Sequence, residues 1–131
     1  MNAAFLLVAA ATALTASATL NAHDVRATLY GTELSGTYGA GDRPWRECIE
    51  PGGRTIYAAE SGWDEGLLSV RSDGKACFAY RSSGFREQNC FAVRRQGASL
   101  NFQSSPESSV FTATSIRRGV RTCAAPDAPV S

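Results

Sequence analysis

The stretch 66–102, GLLSVRSDGKACFAYRSSGFREQNCFAVRRQGASLNF, decides the fold. Short segments of alternating apolar and polar residues run through it, separated by Asp73-Gly74, Ser83-Gly84 and Gln96-Gly97. Such pairs tolerate the positive φ of tight turns, and a period of two marks half-buried strands. Three successive hairpins make an antiparallel meander. Phe78 and Tyr80 share one face of their strand, Phe91 and Val93 one face of the next, and Cys77 and Cys90 point the other way. A turn at Ser83-Gly84 sets Cys77 opposite Cys90, where cross-strand Cβ atoms stand ~4.5–5.5 Å apart. Slight adjustment brings such a pair within disulfide geometry.

Outward from this core, the same pattern gives candidate strands over 33–38, 54–59, 67–72, 75–81, 89–95, 99–103 and 110–116. No sustained helical stripe occurs beyond residue 22; the segment 23–31, with Val25, Leu29 and Tyr30 at roughly helical spacing, suits one short helix on the end of the sheet. Pairing Cys77 with Cys90 leaves Cys48 for Cys123. That bridge closes a loop of about 75 residues and draws the ends of the meander together. The expected fold is all-β: an antiparallel meander curled or closed into a small barrel, with two disulfides.

The chain opens MNAAFLLVAAATALTASATLNA, with an apolar stretch over 3–14 and small-residue cleavage options after Ala18 or Ala22. This reads as a secretory signal peptide, and the apolar run is shorter than the ~20 residues of a membrane-spanning helix. The expected organisation is a leader over 1–22, a single β domain over 23–123 and a disordered, Pro-containing tail over 124–131. Four cysteines behind an export leader point to an oxidising compartment, periplasmic or extracellular, with no membrane span after cleavage.

All thirteen basic and twelve acidic side chains fall in the remaining ~110 residues, so the formal charge stays near +1. That balance gives no electrostatic reason to expect nucleic acid. The single histidine, His23, leaves no Ser-His-Asp or Cys-His relay away from the expected new terminus. As a terminal residue it would offer Cu(II) an amine and an imidazole, but a catalytic histidine brace needs a second histidine. Paired cysteines leave no thiolate, no C-x-x-C spacing occurs, and no glycine loop matches a phosphate cradle. No catalytic residue, metal site or cofactor is expected.

Glu47, Glu50, Glu60, Asp64 and Glu65 cluster in the first half, interleaved with Arg43, Arg46 and Arg54, which suits a solvated, ion-paired surface. Two positioned carboxyl groups beside Trp45 and Trp63 would suit a glycosidase, yet the segments read as loops. Aromatic and arginine side chains in loops are also what protein-binding hot spots are made of. The run DRPWREC, residues 42–48, places Trp45 between Arg43 and Arg46 next to Cys48. It reads either as a constrained recognition loop or as a Trp folded into the core. Arg117, Arg118 and Arg121 suit an acidic partner or a charge-protected strand edge.

The positions Gly66, Val70, Cys77, Phe78, Tyr80, Cys90, Phe91, Val93, Gly97, Leu100 and Phe102 resemble the pattern G-x-W-x-V, C-F-x-Y, C-F-x-V, G-x-x-L-x-F of small exported β-rich proteins of alphaproteobacteria. Leu68 stands where that pattern has Trp, and Cys48 and Cys123 lie outside it. The resemblance implies a lipocalin-like barrel and export, and it transfers no active site.

The function expected from these features is non-catalytic binding of a protein partner in the cell envelope, as an inhibitor or accessory subunit, through Arg43, Trp45, Arg46 and Trp63. The alternative is a small-molecule carrier using the inner face of Phe78, Tyr80, Phe91 and Val93. Small barrels fill their interior with their own side chains, which argues against a small apolar ligand.

Overall fold

The computed structural model describes residues 18–104 and 110–126, with residues 4 and 7. Most of the expected leader, and residues 127–131 of the expected tail, lie outside the described residues. A short strand β1 (Ala18–Thr19) leads into helix α1 (Ala22–Leu29). Eight strands follow: β2 (Thr32–Tyr38), β3 (Arg43–Ile49), β4 (Arg54–Ala59), β5 (Gly62–Val70), β6 (Ala76–Tyr80), β7 (Gln88–Gln96), β8 (Ser99–Gln103) and β9 (Val110–Arg118). Each of these pairs antiparallel with the next in sequence, and β9 pairs back onto β2, closing an eight-stranded up-and-down barrel. Closure removes the exposed edges that an open sheet would present. β1 lies outside the ring, along β7.

Cys77 stands directly opposite Cys90 in the β6–β7 register and is bonded to it; Cys48 is bonded to Cys123. No free cysteine remains. Two disulfides suit an oxidising, extracytoplasmic compartment. Phe78, Val93 and their neighbours face the interior as their alternation requires.

Three details depart from the sequence reading. The segment expected as a loop over 42–48 is strand for most of its length, β3, because Trp45, Glu47 and Ile49 alternate inward between Arg46 and Cys48. β5 begins at Gly62 rather than at residue 67. Gln96 pairs with Ser99, so the β7–β8 turn consists of Gly97 and Ala98, one place later than expected.

One end of the barrel is sealed by α1. The Asn21 side chain accepts the Asp24 amide at 2.9 Å, capping the helix, and Val25 and Leu29 are fully buried against the barrel core. Arg26 donates to the Val70 carbonyl, Tyr30 to that of Leu68, and Arg95 to Thr28 Oγ1. A β-bulge in the β2–β9 pairing sits at Ser35/Gly36. Gly36 is needed there because a Cβ would collide with the Thr112 carbonyl.

Candidate functional site

At the end away from α1, the lumen is lined by Leu34, Trp45, Glu47, Tyr57, Phe78, Tyr80, Phe91, Phe102 and Phe111 around a cavity of about 40 Å³. The rings lock one another: Trp45 meets Phe102 and Phe111 edge-on at 6.2 and 5.6 Å, and Phe91 meets Phe78, Phe102 and Phe111 at 5.8–6.4 Å. Tyr38 stacks on Phe111 at 5.1 Å. A pocket for a drug-sized ligand occupies roughly 300–1,000 Å³. Self-packing has reduced this lumen to a space for a few atoms.

One ionisable group has been left inside. Glu47 is 3% exposed and shares its inward row with Leu34, Tyr57 and Asp64 on the neighbouring strands. The Tyr80 hydroxyl donates to Glu47 Oε1 at 2.9 Å. Oε2 and Thr55 Oγ1, buried in the same wall, make no hydrogen bond of normal geometry, although the Thr55 hydroxyl is near enough to act on the carboxyl. Burial pushes the Glu47 carboxyl up to about 8, against the smaller opposing effects of Tyr80 and Thr55. It is therefore mostly neutral at pH 7. Tyr57 is pushed up to about 12, first by burial and then by Tyr38 and Glu47, and Tyr80 is raised further for the same leading reason.

Gly66 makes this contact possible. A Cβ there would lie 2.7 Å from Tyr80 Cδ1 and 2.8 Å from Thr55 Oγ1. The Tyr80 ring lies across the bare backbone of β5, and its hydroxyl thereby reaches β3.

The outer face of the same strands carries different chemistry. Arg54 bonds Glu50 at 2.6 Å and Glu65 at 2.9 Å, and Arg81 bonds the other Glu65 oxygen at 2.8 Å. The Cys123 amide donates to Glu50 at 2.9 Å, and this contact above all holds the Glu50 carboxyl below the usual carboxylate range. The Arg54 guanidinium is raised in turn, chiefly by Glu65. From the β6–β7 loop, Ser82 donates its hydroxyl to Asp64, which belongs to the inward row rather than to this face. Beside this network stand Trp63, 43% exposed, and Leu67, 52% exposed, both on the outer face of β5. Phe85, also exposed, follows in the β6–β7 loop with φ of 60°, a conformation that non-glycine residues adopt at a cost.

The four expected binding residues are divided by this geometry. Trp45 lies in the lumen, its Nε1 donating to the Thr37 carbonyl at 2.9 Å. Arg43 begins β3 opposite Tyr38 and is exposed. Arg46 and Trp63 share an outer row on either side of Ala58, since Arg46 pairs with Ala58 and Ala58 with Trp63. The expected carboxylate surface is also split: Glu50 and Glu65 are ion-paired outside, whereas Glu47 is enclosed. Leu67 and Phe85 carry no site signal in the sequence, and Glu47 stands there only as one carboxylate of a cluster read as ion-paired surface. The alternation of Trp45, Glu47 and Ile49 against Arg46 and Cys48 was the available signal for Glu47. No family model, curated protein or solved structure matches the chain.

Proposed function

We propose that this protein is an exported, non-catalytic binding domain that engages a protein partner in the cell envelope through the outer face of β5 and the loop following β6. One observation carries the reading. Within the described barrel and helix, the large apolar side chains left exposed are Trp63, Leu67 and Phe85, all on β5 or the β6–β7 loop. A turn of that loop is tied to β5 by Arg81–Glu65 and Ser82–Asp64. Grouped exposed apolar side chains on a soluble domain mark interaction sites, and an aromatic anchor flanked by arginines is the composition of a hot spot. Arg46, on the row of Trp63, extends the face toward β3.

Export follows the leader-like opening and the paired cysteines. Release after Ala18, rather than after Ala22, keeps Leu20, whose amide donates to the Val93 carbonyl, and the Asn21 cap of α1.

The test places a photo-crosslinking amino acid at position 67 or, as control, at position 101 of β8, in the native host. The expected result is one discrete adduct from position 67, none from position 101, and loss of the first on Trp63→Ala. Equal labelling from both positions, or an adduct indifferent to Trp63→Ala, would overturn the reading.

A further inference from the structure

The lumen holds a buried carboxyl with one oxygen unpartnered, and native interiors rarely leave such an atom alone. Glu47 Oε2 borders the 40 Å³ cavity, and the remaining wall is aromatic: Trp45, Tyr57, Phe78, Tyr80, Phe91 and Phe102 among it. At ~10–15 Å³ of such volume per water, the space takes about three non-hydrogen atoms. A negative charge set among π-faces is the chemistry that recognises an ammonium group, because the cation gains both the ion pair and the ring quadrupoles. A neutral apolar molecule of this size would leave Oε2 without a partner. An anion would meet the negative faces of the rings and the Glu47 carboxyl.

We propose that the half of the barrel away from α1 is a binding site for a small alkylammonium ion, with Glu47 as its counter-charge and the surrounding aromatic rings as its cage. This site is independent of the outer face assigned to a protein partner, and either assignment can fail without the other. Tyr38 and Phe111, both half-buried, stack beside it. Tyr80 holds Oε1, so Oε2, with the Thr55 hydroxyl near it, is the atom left to receive an N–H donor. The titratable groups facing Glu47 are Tyr80 from β6, Tyr57 from β4 and Asp64 from β5; β2 presents Leu34. Binding a cation requires Glu47 to ionise, so the carboxyl proton passes to the buffer as the ligand enters. For a carboxyl titrating at about 8, affinity should rise about tenfold per pH unit below that value and level off above it.

The probe is methylammonium, titrated from 0.1 to 100 mM by calorimetry in two buffers of different ionisation enthalpy, with methanol as the neutral control of similar size. With two non-hydrogen atoms, the efficiency ceiling for very small ligands puts the tightest attainable Kd near ~6 mM. The expected result is saturation in the millimolar range at pH 8.5, weaker binding with release of roughly three-quarters of a proton at pH 7.5, and no saturation with methanol. Glu47→Gln, nearly isosteric and still able to accept from Tyr80, should abolish binding with the near-ultraviolet dichroism unchanged. The proposal is overturned by absence of saturation at 100 mM and pH 8.5, by methanol binding equally, or by a wild-type affinity independent of pH between 6 and 8. The last two outcomes need no variant, so they remain decisive if Glu47→Gln misfolds.

Discussion

Glu47 and Glu50 lie three positions apart, and they occupy opposite electrostatic worlds. Glu47 points into the lumen, where desolvation keeps it mostly neutral at pH 7. Glu50, just beyond the end of β3, reaches Arg54 and the Cys123 amide on the outside and is held ionised. The same side chain is a strained acid in one place and an ordinary anchor in the other. Strand parity and burial separate them, and the distance along the chain does not.

The largest expected effect comes from pH. A carboxyl raised from 4.5 to about 8 in the folded state keeps its proton longer there than in the unfolded chain, so stability should fall as pH rises between those values. The full drop corresponds to roughly 5 kcal/mol, measured by urea unfolding at intervals of pH. Glu47→Gln should flatten that limb. Glu50 acts with the opposite sign: its contribution is present above the unfolded carboxylate range and disappears as pH falls through its lowered folded value. The partly exposed Arg54 limits this to about 1 kcal/mol. Together the two carboxyls predict a stability maximum on the acid side of neutrality, and a flat profile from pH 5 to 8 would break the comparison.

Opening the outer anchor should come next. The Cys48–Cys123 bridge spans 75 residues, which loop entropy values at up to about 4 kcal/mol. The double variant Cys48→Ser with Cys123→Ser should lose most of that in chemical unfolding and also raise the Glu50 titration, because the Cys123 amide would be held less firmly.

Gly66→Ala sharpens the inner half of the comparison. Its Cβ would crowd Tyr80 and Thr55, at an overpacking cost of ~1–3 kcal/mol, and displacing Tyr80 should perturb the Glu47 titration followed by ¹³C-carboxyl NMR. An unshifted titration would mean that the Tyr80 contact does not define the Glu47 environment. The smallest effect belongs to the exposed face: Trp63→Ala should change unfolding free energy by less than ~0.5 kcal/mol while removing the crosslinked adduct.

Much of the barrel is legible in the residues. The hairpin between β6 and β7 can be read from Cys77, Phe78, Tyr80, Cys90, Phe91 and Val93, because alternation and turn position together fix one register. The residues of β8 stand where their pattern puts them. β3 was hidden by composition: Pro44, two arginines and a glutamate read as loop chemistry, and tertiary pairing on both sides overrides that weak local preference. The site was hidden for the same reason. A glutamate among arginines is ordinarily solvated, and Glu47 departs from that norm only because Trp45 and Ile49 flank it at strand spacing. Gly66 was visible as a glycine, but its purpose depends on a ring arriving from β6, which no local pattern records.

The ring of strands is built from neighbours, except at one seam. Around the eight-stranded ring, β2 and β9 are the pair joined by residues far apart in sequence, with Thr32 opposite Arg118, 86 positions away. Cys48 and Cys123 lie just beyond the two sides of that seam, and once they are bonded the shortest covalent path between Thr32 and Arg118 falls to roughly 20 residues, lowering the closure entropy by about 1 kcal/mol. Forming that bond is itself a search between distant segments, but once it is made the seam recloses from any opening as a hairpin-scale event. An oxidised chain refolds with its final strand already tethered, whereas a reduced one must find the seam anew each time.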